Sequence, residues 1–201
     1  MRTIECFFDC SSPWTYLGFE SLEQLRERVP VEVRYRPFLV GGVFNTVNPS
    51  VYENRQNPVP AKARYAQKDL QDWARYVGIE IGSPAVFPVN SVKVMRGAFF
   101  AEEAGLLVPY ARAAFHAYWT QLKDISEERV IREILAEVGL DADTFFNAIQ
   151  TPDYKERLKA NTSELVERGG FGSPTFFIDG QDMYFGNDRF PLIEAALAAR
   201  S

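Results

Sequence analysis

The sequence predicts an α/β protein in which an opening strand–helix–strand unit and a closing strand–strand–helix unit enclose a long all-helical stretch. Three observations carry that prediction. Apolar and aromatic residues dominate Ile4-Glu5-Cys6-Phe7-Phe8, and apolar residues alternate with charged ones over Val31-Glu32-Val33-Arg34-Tyr35-Arg36, the period of a half-buried strand. Strand character returns only at Pro174-Thr175-Phe176-Phe177-Ile178 and Met183-Tyr184-Phe185, with Asp179-Gly180 as a turn between them. The middle of the chain reads almost entirely as helix.

Between the first two strands, Trp14, Leu17, Gly18, Ser21, Leu22 and Leu25 fall on one helical face. Ser12 takes the N-cap place and Pro13 the first helical position, where a missing N–H costs nothing. Strand, helix and strand then form a βαβ unit with parallel strands. The stretch from Gly41 to Pro60 is rich in Gly, Asn and Pro and reads as a long loop of the kind that binds ligands. A helix follows from Pro60 to about Val77, with Ala63, Ala66, Leu70, Trp73 and Val77 on one face. Lys62 lies in its first turn, where a cation opposes the dipole; it is either held there for an anion or simply solvated.

After the irregular run Gly82–Asn90, Ser91 caps a helix to about Ala104, and further helices are expected at Tyr110–Leu122, at Glu127–Val138 behind a Ser126 cap, at Ala142–Ile149 and at Tyr154–Arg168. The last helix, Pro191 to Ala199, offers Leu192, Ala195, Ala196 and Ala199 as its inner face. The sum is a thioredoxin-like fold (βαβ…ββα) interrupted by an all-helical insertion. Residues 1–40 and 170–201 form the thioredoxin-like part, and residues 41–169 the loop and helical insertion.

Composition narrows the function classes. The chain has 201 residues, of which 46% are apolar and 14% aromatic, so it can fill a large core. A formal net charge of −5 speaks against a nucleic-acid partner or an anionic membrane surface. No apolar run approaches the roughly 20 residues of a membrane span, and the opening residues lack the order of a signal peptide, so a cytoplasmic protein is expected. Two cysteines and one histidine make no recognisable metal site. Cys6 and Cys10, about 13 Å apart in an extended segment at roughly 3.3 Å per residue, are too distant for a disulfide and suit buried positions; Cys10, near the helix start, also merits attention as a thiol.

A helix that starts at the end of a buried strand points free N–H groups at whatever lies beyond it and favours a thiolate, carboxylate or phosphate there. Thioredoxin-like oxidoreductases place Cys-x-x-Cys at such a start; this chain has Ser12-Pro13-Trp14-Thr15. Without sulfur the motif cannot exchange disulfides. It remains either a helix cap or a site that stabilises another molecule's thiolate. Pro174, heading a would-be inner strand, is a strand start, an edge residue or a cis-proline; beside such a helix, a cis-proline leaves the preceding backbone open to an extended peptide-like ligand.

With these pieces placed, the sequence resembles the 2-hydroxychromene-2-carboxylate isomerases and the related kappa-class glutathione transferases. The residues that carry it are Phe8-Asp9, Ser12-Pro13-Trp14-Thr15-Tyr16-Leu17, Pro60-Ala61-Lys62, Phe87-Pro88-Val89-Asn90, Phe171-Gly172-Ser173-Pro174-Thr175-Phe176-Phe177 and Gly186-Asn187-Asp188-Arg189. The resemblance implies glutathione as cofactor, with Ser12 hydrogen-bonded to its sulfur and favouring the thiolate. A hydroxyl donor to a charged acceptor contributes roughly 1.5–3 kcal/mol. The resemblance further implies that Ser173, ahead of Pro174, presents its backbone to the cysteinyl part, that Asn187 and Asp188 hold the γ-glutamyl end, and that Lys62 meets the glycyl carboxylate. Asn187 and Asp188 also suit plain capping of the last helix. A loop asparagine would bind the tripeptide backbone; Asn48 is chosen over Asn54 and Asn57, in a loop longer than the family's.

The implied reaction interconverts 2-hydroxychromene-2-carboxylate and trans-o-hydroxybenzylidenepyruvate, a step in naphthalene-type degradation, by reversible thiolate addition to the conjugated alkene. The small aromatic substrate needs an apolar pocket, for which Phe44, Phe87, Trp14 and Trp119 are candidates, with Arg96 for its carboxylate. His116 is read as structural. A homodimer is expected from the resemblance. A transferase or reductase acting on other electrophiles and a non-catalytic glutathione binder are the competing readings.

Overall fold

In the computed structural model, which describes residues 1–199, β1 (Thr3–Phe8) lies inside the sheet because its side chains are buried on both faces. Ile4, Cys6 and Phe8 enter one buried cluster, while Phe7 enters a second with Phe38, Val43, Leu165 and Phe177. Such a strand needs backbone partners along both edges. β2 (Glu32–Pro37) runs parallel to it with Ile4 opposite Val33, and β3 (Thr175–Ile178) runs antiparallel with Cys6 opposite Phe176. β4 (Asp182–Phe185) pairs with β3, giving the order β2-β1-β3-β4. Asp179 (φ 49°) and Gly180 (φ 74°) make the expected turn. The mixed sheet and its flanking helices are the α/β, thioredoxin-like arrangement expected from the sequence.

The first helix, α1 (Pro13–Arg26), buries Leu17, Phe19, Leu22 and Leu25 against the larger cluster. The stretch 41–60, expected as a loop, instead contains α2 (Val40–Val47) and α3 (Ser50–Gln56). Tertiary contacts overcome its poor composition: the Val40 N–H donates to Asp9 Oδ2 at 2.9 Å and the Leu39 N–H to Thr162 Oγ1 at 3.1 Å, while Val43 is buried in the second cluster. In α4 (Pro60–Val77) only the second half packs. Val77 is buried and Leu70 and Trp73 are half-buried, whereas Ala63 and Ala66 of the expected inner face are exposed.

The helical block continues with α5 (Val92–Glu103) and α6 (Leu107–Phe115), which runs into a π-helical turn at His116–Thr120 where one continuous helix was expected. The next helices are α7 (Glu128–Val138), α8 (Ala142–Ala148) and α9 (Pro152–Glu167). Ser126 does not cap α7; its N–H and hydroxyl both donate to Asp124 Oδ1, and Glu127 holds the cap position. The last helix, α10 (Phe190–Ala199), turns Phe190, Ile193 and Leu197 inward rather than the expected alanines, and Leu192 is 56% exposed. Phe190 decides that orientation by packing edge-on against Phe176, with ring centroids 5.3 Å apart. Among the described residues no helix is long and apolar enough to cross a membrane.

Candidate active site

The chain leaves β1 at Phe8 and turns through Asp9 into α1. Asp9 is 1% exposed, and its carboxylate accepts the N–H groups of Ser11 and Val40, both at 2.9 Å, and the Ser91 hydroxyl. One side chain thus ties together the entries to α1, α2 and α5. Burial pushes its pKa above the usual carboxylate value, and those hydrogen bonds oppose the shift. The sequence placed Asp9 in a motif but gave it no role, because its partners lie at positions 40 and 91.

Ser12 occupies the N-cap of α1, as expected: its Oγ accepts the Thr15 N–H at 3.3 Å, and Pro13 follows at the first helical position. Accepting that bond leaves the hydroxyl's own proton available to donate. Thr15 is fully buried, and its Oγ1 lies 2.6 Å from Ser173 Oγ. The Ser173–Pro174 peptide is cis, and Pro174 sits close against α1 at Gly18, where a Cβ would come within 2.7 Å of Pro174 Cγ. Glycine is what permits that approach.

In front of these residues opens a cavity of about 820 Å³, within the range of small-molecule sites. Its floor is Asp9, Ser11, Ser12, Ser91 and Ser173; its walls are largely apolar, with Trp14, Phe44, Tyr52, Phe87, Phe171 and Phe185. Of the residues singled out for glutathione, Ser12, Asn48 and Ser173 line it. The Asn48 side chain donates to Phe171 O at 3.1 Å and accepts from the Ser50 hydroxyl at 2.9 Å; Asn54 lines the cavity too, and Asn57 does not. Pro174 stands behind Ser173, and Lys62 on the exposed start of α4 is not part of the lining. Nor are Asn187 and Asp188, which follow β4. Asn187 is buried with its Nδ2 unpartnered among the described residues, and Asp188 pairs with Arg189 at 2.6 Å.

Trp14, Phe44 and Phe87 reach the cavity. Trp119 stands behind Phe87, with ring centroids 6.0 Å apart, and donates its indole N–H to Cys10 O at 2.9 Å. Arg96 does not line it, but Arg55 of α3 does, which sequence reasoning missed because that segment read as loop. His116 is exposed on the π-helical turn, in a separate surface hollow with Tyr16 and Glu20. Cys10 is no reactive thiol: it is 1% exposed, and burial first, then the neighbouring Asp9, pushes its pKa well up.

The model of the DsbA-like thioredoxin domain family matches residues 3–198. The chain is 30% identical to the 2-hydroxychromene-2-carboxylate isomerase of Pseudomonas putida over 96% of its length and 93% of that protein's. It is 28% identical to the human glutathione S-transferase kappa 1, over 99% and 92% of the two chains. A solved 2-hydroxychromene-2-carboxylate isomerase superposes with a TM-score of 0.82 at 26% identity, covering 98% of this chain and 95% of the other.

Proposed function

We propose, for a chain that belongs to the DsbA-like thioredoxin family alongside the 2-hydroxychromene-2-carboxylate isomerases and kappa-class glutathione transferases, that it is a glutathione-dependent enzyme. Its reaction on this reading is the interconversion of 2-hydroxychromene-2-carboxylate and trans-o-hydroxybenzylidenepyruvate, in naphthalene-type catabolism. The observation that carries it is Ser12: a hydroxyl with a free proton, at the start of a long helix, on the floor of an apolar cavity, in a motif without sulfur.

Two further features fit bound glutathione. Asn187 has a buried amide nitrogen without a partner among the described residues, which suits the γ-glutamyl end, and Asp188 beside it suits the ammonium. Ser173, held by Thr15, presents its backbone beside the cis-Pro174 to an extended ligand. Asn48 would bind the tripeptide backbone and Lys62 the glycyl carboxylate. When bound, glutathione supplies a sulfur nucleophile able to add reversibly to a conjugated alkene. The chain's own part would be to hold that sulfur ionised: the Ser12 hydroxyl would donate a hydrogen bond to it, the N–H groups opening α1 would add their dipole, and the aromatic walls would keep water from the substrate.

Calorimetry of glutathione binding to the native protein and to Ser12→Ala, with thiolate absorbance followed against pH, tests this. Binding with a depressed thiol pKa that rises in the variant supports the reading, and an isomerase assay follows. A native protein that ignores glutathione ends it. The likeness to the human kappa transferase favours a second reading, conjugation of other electrophiles, which a model electrophile separates from isomerisation. The same reading carries a cytoplasmic homodimer, for which sedimentation of the purified chain is the check on assembly.

A further inference from the structure

Among the described residues, only two charged side chains line the cavity: Asp9 on its floor and Arg55 at its mouth. Asp9 is committed to the backbone around it, whereas Arg55 pairs with no carboxylate among the described residues. Its guanidinium instead lies over two aromatic rings of the cavity lining, 5.7 Å from the Phe44 centroid on α2 and 5.2 Å from that of Phe87, next to the cis-Pro88. Neither ring is fixed by this contact alone: Phe44 meets Tyr52 edge-on at 6.2 Å and Phe87 meets Trp119 at 6.0 Å. Each ring therefore has support of its own, and the guanidinium rests on both.

We infer that Arg55, seated on Phe44 and Phe87, is the carboxylate anchor of the cavity and that it selects a planar aromatic acid. This rests on the reading of the site as one for a small aromatic substrate, and it names the feature of that substrate the protein selects. A guanidinium that rests on ring faces keeps N–H donors free, so it can form a two-point contact with a carboxylate while still touching the rings. A neutral aromatic offers that cation no charge to pair with. The cavity thus discriminates by charge. Arg55 takes the role that the sequence assigned to Arg96, which the fold holds away from the cavity.

The test uses binding, so that it does not depend on turnover. trans-2-Hydroxycinnamate and its amide are titrated into the native protein, Arg55→Met and Arg55→Lys by calorimetry, with glutathione titrated separately into each. Circular dichroism confirms that the variants are folded, as expected for a residue that lies exposed. The acid should bind the native protein at least tenfold more tightly than the amide. Arg55→Met should lose that preference by roughly tenfold to a hundredfold, the range of a lost charge-assisted pair, and Arg55→Lys should keep part of it. Glutathione affinity should be unchanged.

If Arg55→Met weakens acid and amide alike, or neither, the inference is overturned. If it weakens glutathione instead, Arg55 serves the tripeptide's carboxylate and the inference is likewise overturned. A protein that binds the acid through Arg55 but ignores glutathione would leave the anchor standing while removing the glutathione reading, so the two failures are distinguishable.

Discussion

The hydroxyl oxygens of Thr15 and Ser173 lie 2.6 Å apart, one in the first turn of α1 and the other just before β3. Both residues are buried, so the bond ties the two walls of the site across 158 positions of sequence.

Thr15→Val keeps the shape and leaves the Ser173 hydroxyl without its partner. The expected cost is about 1–3 kcal/mol of stability, the range for a buried polar group left unpaired. Thr15→Ser should recover most of it. Denaturant unfolding of the three proteins measures this, and a valine variant as stable as the native chain would show that the bond contributes nothing.

Gly18→Ala opposes two effects. Alanine in a helix interior gains about 1 kcal/mol over glycine, but overpacking costs about 1–3 kcal/mol. Overpacking should win, because the new Cβ would stand 2.7 Å from Pro174 Cγ and 3.2 Å from Phe176 Cζ, and a proline ring cannot rotate out of the way. A lowered Tm together with weaker glutathione binding is expected, since the shift moves Ser173 away from α1.

Asp9 makes stability depend on pH in a direction opposite to that of a salt-bridged carboxylate. Burial raises its folded pKa, so the folded state holds this proton more tightly than the unfolded chain. The contribution is most favourable below the unfolded value of about 4 and declines as pH rises through the folded pKa. Asp9→Asn removes that titration. Urea unfolding between pH 3 and 8 (about the practical range for carboxylates) should show native stability declining more steeply from pH ~4 upward than that of the variant; parallel profiles would contradict it.

Cys6 and Cys10 should ignore thiol reagents while the chain is folded. Burial pushes both pKa values up, aided by Glu23 at Cys6 and Asp9 at Cys10. Labelling with a maleimide at pH 7.5, near which an ordinary thiol (pKa about 8.5) is partly ionised, should be negligible in buffer and complete in denaturant.

The frame of the fold was legible because its signals are local. Alternation at Val31–Arg36, the Ser12-Pro13 start and the Asp179-Gly180 turn each state a backbone preference within a few residues. The segment 41–60 was not, since its two helices depend on contacts from Asp9 and Thr162 that no local pattern contains. The same limit explains the site. Ser12 and Ser173 could be found from the start of a helix and a proline, whereas Asp9 acts through residues 40 and 91, and Arg55 belongs to a helix whose composition resembles a loop. The inner face of α10 was misread by about one position, because Phe190 and not Pro191 begins it.

The two buried cysteines and the sulfur-free start of α1 leave the cavity with no redox couple of its own. A dithiol site on this scaffold has two resting forms, and the surrounding potential chooses between them. Here there is one. An oxidising episode that would stall such an enzyme leaves these side chains unchanged, so on the reading proposed above the site's output follows the supply of reduced tripeptide and never its own history.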